Sequence, residues 1–145
     1  MTPSRVSLAY IVLGTAFAVL GVLILLNVAA AMRVGGVVLW GSVAYALMDL
    51  LVAYGLFNRE RWVPHAFLLN LIGLAVMFAT ATLFVEGGAN MIFYSFAVGI
   101  NALLAAFLYK TRVRGKAGLF VDRAGVAFVL LWALMFCYTV AGNFS

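Results

Sequence analysis

Residues 35–61, GGVVLWGSVAYALMDLLVAYGLFNRER, decide how this chain is read. The stretch is membrane-length and apolar, since about 20 such residues cross the hydrocarbon of a bilayer, and it holds one carboxylate, Asp49, in its interior. Every other charge in the chain lies at or near the end of such a run. An ionisable side chain at that depth costs at least ~2.5 kcal/mol on insertion scales, so it faces protein or water rather than lipid. Asp49 is therefore the leading candidate for a functional residue.

The remainder of the sequence has the same character. Hydrophobic residues make up 68% of the 145 and charged residues 9%, against about 25% charge in soluble globular domains. Mean hydropathy is +1.20. These values predict an all-α integral membrane protein, a single bundle over residues 1–145 with no separate soluble domain. The net charge of +5 suggests nucleic acid in a soluble protein, but here the basic residues gather in short loops, where they set topology instead. No nucleic-acid partner is expected. The single cysteine, Cys137, excludes an internal disulfide, a CxxC pair and a cysteine-rich metal site.

Five spans are expected, at about 6–32, 35–57, 63–85, 90–109 and 124–141. The first is a 27-residue uncharged run between Arg5 and Arg33. That exceeds the ~7–15 apolar residues of a cleavable signal, so it is read as retained. Paired glycines at 35–36 permit a tight turn into the second. Pro64 falls in the first turn of the third, where its missing amide proton does no harm. A shift of 52 residues superimposes Gly21 on Gly73, Asp49 on Asn101, Ala53 on Ala105 and Leu56 on Leu108. Such a repeat is compatible with two tandem helical hairpins plus one further helix.

Charge placement supports the count. Five spans put Arg5, Arg59, Arg61, Lys110, Arg112, Arg114, Lys116 and Arg123 on one face and only Arg33 on the other. The positive-inside rule then predicts a multi-pass protein of the plasma membrane, with a cytoplasmic N terminus and an extracytoplasmic C terminus.

Depth brings a set of polar groups together. At ~1.5 Å of rise per residue, Asp49 stands ~13 Å from the Asn58 end of its span, and Asn101, Asn70 and Thr15 lie at similar distances from the basic ends of theirs. On the second span Ser42, Tyr45, Ala46, Asp49 and Ala53 share a small and polar stripe, with Leu47, Leu50 and Leu51 left for lipid. Two readings follow. Either Asp49, Asn101, Asn70, Tyr45 and Thr15 hydrogen-bond across the bundle and specify its packing, or Asp49 exchanges a proton or binds a cation with the asparagines as neutral ligands.

Other candidates are weaker. His65, the only histidine, cannot supply a bis-histidine haem, and Cys137 reads as a small packing residue. Lys110, Arg112, Arg114 and Lys116 form a basic loop that attracts anionic lipid or simply fixes topology. Small residues at spacing four, Gly14 and Ala18, Ala75 and Ala79, Ala102 and Ala106, permit close helix approach within the bundle or to a partner. No catalytic constellation, phosphate loop, metal set or cofactor site is visible. The expectation is a non-catalytic subunit of, or accessory to, a larger membrane complex. A small oligomeric transporter or ion-conducting protein built on Asp49 is the alternative, and either would have the bilayer and other subunits or its own copies as partners.

Overall fold

The computed structural model describes residues 3–36, 40–84, 91–111 and 123–144. These form five α-helices and, among the described residues, no strand: α1 (Pro3–Arg33), α2 (Trp40–Asn58), α3 (Val63–Phe84), α4 (Met91–Thr111) and α5 (Arg123–Phe144). The expected five segments are therefore present, each end within a few residues of its predicted place. Ser7–Arg33, Trp40–Asn58 and Arg123–Ala141 are long and apolar enough to cross a membrane, whereas the apolar parts of the other two, Val63–Ala79 and Ser95–Thr111, are shorter.

Two of the helices end in the same way. At the end of α1, Gly36 N–H donates to the Ala31 carbonyl (2.8 Å) and Gly35 N–H to that of Met32 (3.2 Å), with Gly35 left-handed at φ 69°. This pair of bonds is the Schellman motif, which satisfies carbonyls that the helix itself leaves open. The turn expected at the paired glycines is thus built around Gly35. At the end of α2, Glu60 N–H donates to Gly55 (2.8 Å) and Arg59 N–H to Leu56 (3.2 Å), but the left-handed residue is Arg59, at φ 54°. A residue with a β-carbon costs roughly 1–2 kcal/mol there. Its guanidinium lies 5.7 Å from the centre of the Tyr10 ring, a cation–π contact from the end of α2 to the start of α1.

The helices form two compact units. The first comprises α1, α2 and α5, with α2 the element that both others pack along. The α1–α2 hairpin is antiparallel and close. A β-carbon on Gly14 would stand 2.9 Å from the Phe57 ring, and one on Gly21 would stand 2.9 Å from both the Ala46 carbonyl oxygen and Leu50 Cγ. Glycine lets the two backbones approach at these points. Helix α5 joins α2 through Gly41 against the Tyr138 ring at one end and Gly125 against Trp62 at the other. There the Trp62 and Phe128 rings lie 5.7 Å apart, and both are buried.

With two neighbours, α2 buries half its circumference: Ala46, Met48, Asp49, Val52, Ala53, Gly55 and Leu56. The predicted stripe is correct at Ala46, Asp49 and Ala53. It is corrected at Tyr45, which is 49% exposed, and at Leu50 and Leu51, which are half-buried where lipid was expected. Leu50 meets the glycine face of α1.

The second unit is the α3–α4 hairpin. Here Ala66, Phe67, Ala105 and Leu108 are buried. Of the residues paired by the 52-residue shift, Ala53 with Ala105, Leu56 with Leu108 and Gly21 with Gly73 are buried alike, whereas Asp49 is buried and Asn101 only half-buried.

Candidate functional site

Asp49 sits in the middle of α2 with 6% of its surface exposed, the one polar or charged residue in the buried set among the described residues. Its Oδ2 is fully buried and has no hydrogen-bond partner. A carboxyl group can take up to four hydrogen bonds, and an unpaired polar group taken out of water costs ~1–3 kcal/mol by protein measurements. The stretch of α1 level with it supplies no side-chain donor. Contacts of Gly14 with Phe57 and of Gly21 with Leu50 set the α1–α2 register, which puts Asp49 level with the turn of α1 just after Gly21. That turn is the apolar run Val22-Leu23-Ile24-Leu25.

The other members of the expected polar layer are disposed differently. Thr15 is exposed on α1, about two turns from the level of Asp49, and its hydroxyl donates to the Ile11 carbonyl (2.9 Å). Asn101 Nδ2 donates to the Ala97 carbonyl (2.9 Å), again within its own helix. Thr82, Thr111, Thr139 and Asn58 behave in the same way. Short polar side chains do this readily, because the carbonyl four residues back is always in reach. Asn70 is half-buried on α3. Asp49, Tyr45 and Thr15 belong to the first unit, Asn70 and Asn101 to the second. Lys110 is exposed at the end of α4, while Arg112, Arg114 and Lys116 lie outside the described residues.

Two polar features lie outside the expected layer, one of them a contact between residues far apart in the chain. His65 Nδ1 and the Tyr109 hydroxyl share a 2.6 Å hydrogen bond, with the rings edge to face at 5.6 Å, and so join the start of α3 to the end of α4. Their 44-residue separation gives no local signal. Trp62 is 3% exposed, and its Nε1 is buried without an acceptor. Cys137, expected to pack, is exposed on α5. Among the described residues no group of three His, Cys, Asp or Glu side chains could hold a metal ion.

The His65 bond makes a direct prediction. Tyr109→Phe keeps the ring contact and removes the hydroxyl, so the chain should lose ~0.5–1.5 kcal/mol, read as a lowered thermal midpoint in detergent. An unchanged midpoint would show that the bond adds nothing net.

No family model matches this sequence, and no curated protein and no solved structure matches it either.

Proposed function

We propose that this chain is a multi-pass protein of the plasma membrane, with five spans, that serves as a non-catalytic subunit of or accessory to a larger membrane complex. One observation carries the reading. The outward stripe of α3 runs Leu68, Ile72, Ala75, Ala79 and Leu83, all exposed, with its two alanines between larger residues, and Ala102 and Ala106 are exposed on α4. Gly14, by contrast, is used within the α1–α2 hairpin. The small-residue faces of α3 and α4 thus remain open to a helix from another subunit.

Purification in mild detergent tests this. Unrelated membrane subunits should accompany the chain at fixed stoichiometry, and Ala75→Leu with Ala79→Leu should release them while the helical content stays the same. Recovery of a homo-oligomer alone would reject the accessory role.

The eight-to-one distribution of basic residues supports a cytoplasmic N terminus and an extracytoplasmic C terminus. A reporter fused after Ser145 should be active outside and one fused at Met1 inside. A cytoplasmic C terminus would leave an even number of spans and end the five-span arrangement.

The buried, unpartnered Oδ2 of Asp49 favours a second reading, a small oligomeric transporter or ion-conducting protein with Asp49 as its coupling group. Uptake into liposomes that is abolished in a folded Asp49→Asn protein would put this reading first.

A further inference from the structure

We propose that Asp49 is a proton-binding site, its carboxyl occupied by a hydrogen ion and closed to metal cations. The inference narrows the coupling group of the second reading to one chemical species, but it concerns occupancy and not flux, so it stands or falls independently of transport.

Geometry carries it. Side chain and Oδ2 are buried, and Oδ2 accepts no hydrogen bond. An ionised carboxylate in that position would need compensating donors or a cation, and in their absence the group neutralises by taking a proton. The interiors of α1, α2 and α5 supply no fixed cation. Between Arg5 and Arg33 on α1, across α2 itself, and from Arg123 to the end of α5 there is no other charged side chain. The titratable groups of these three helices are Tyr10 on α1, Tyr45 and Tyr54 on α2, and Cys137 and Tyr138 on α5. None of these phenol and thiol side chains can carry a positive charge, and Tyr10 is engaged by Arg59 at the far end.

A bound metal ion fails on the number of ligands. Hard cations such as calcium and magnesium take about six or more oxygens. The hydroxyls of the helices packed on α2 are distant along them: Thr15 lies about two turns from the level of Asp49, and Thr139 neighbours Tyr138, which meets Gly41 at the other end of α2. Main-chain carbonyls inside the helices already accept amides four residues on. Tyr45, one turn earlier on α2, has the one side-chain hydroxyl within helical reach of Asp49, its Cβ ~5–6 Å away. One carboxyl and one phenol bind a proton, not a coordinated metal.

Infrared spectroscopy of the purified full chain in neutral lipid bilayers reads this directly. A protonated carboxyl has a carbonyl stretching band that an ionised one lacks, and with four Asp and Glu side chains in the chain the band is assignable. We expect it at neutral pH in the unaltered protein, shifted by carboxyl-13C aspartate, absent in Asp49→Asn and moved in Asp49→Glu. Sodium, potassium or calcium should leave it unchanged. Both aspartates, Asp49 and Asp122, take the label, so the labelled spectrum is repeated on Asp122→Asn, which leaves Asp49 the one labelled side chain and keeps the test decisive even where Asp49→Asn does not fold. Absence of a 13C-sensitive band at neutral pH would overturn the proposal, as would its loss on adding any of the three cations. Lack of proton-driven uptake alongside an intact band would reject transport and leave the site in place.

Discussion

Leucine in place of Gly21 should separate α1 from α2 and lower the stability of the chain by about 3 kcal/mol, the upper part of the range for forcing extra atoms into a packed interior. The reason is the identity of the obstructing atoms. A β-carbon there meets the Ala46 carbonyl oxygen at 2.9 Å, a backbone atom of a helix held at both ends, together with Leu50 Cγ. At Gly14 the obstruction is the ring of Phe57, a side chain that can rotate away, so Gly14→Leu should cost less. At Gly99 nothing lies within 4 Å. There leucine should be neutral, or stabilising by up to ~0.8 kcal/mol through better helix propensity. Thermal unfolding in detergent, followed by circular dichroism, gives the order. Equal losses at Gly21 and Gly99 would show that the α1–α2 approach does not depend on glycine.

The second large effect has the opposite sign. Asp49→Leu replaces a buried group whose Oδ2 has no partner with an apolar one of similar shape, so stability should rise by ~1–3 kcal/mol. A functional group retained at such a cost is a familiar trade between stability and activity. Had Asp49 been a hydrogen-bonding strut to Asn101 or Tyr45, the same change would strand that partner and lower stability by a similar amount. A fall in the thermal midpoint would therefore restore the packing interpretation and remove the basis for a proton site.

Much of this was legible in the sequence, for identifiable reasons. Helix number and approximate ends follow from long apolar runs and from Gly35-Gly36, Pro64 and the basic clusters, all local signals. Asp49 stood out because a charge inside an apolar run has no local explanation. The burial of Leu50 was not legible, because the stripe argument gives a helix one inner face and α2 has two, one toward α1 and one toward α5. Nor was the fate of Thr15 and Asn101. Equal depth suggested bonds across a bundle, yet the carbonyl four residues back lies in reach at every helical position and takes their donors. Arg59 in a left-handed conformation was equally hidden, since sequence alone would assign that place to glycine.

The sharing of α2 between α1 and α5 orders events in time as well as space. Helix α1 is complete before α2 is made, so one side of α2 can be covered as it emerges. Its other side meets α5, whose first residue is Arg123. At ~5–20 residues per second, synthesis of the intervening segment of about 60 residues takes roughly 3–12 s. For that interval the Trp62 end of α2 has no Phe128 to pack against, and the carboxyl-bearing helix stands half-covered. The open side of α2 is then at its most accessible, and α5, made after α1 to α4, is the helix that closes the first unit.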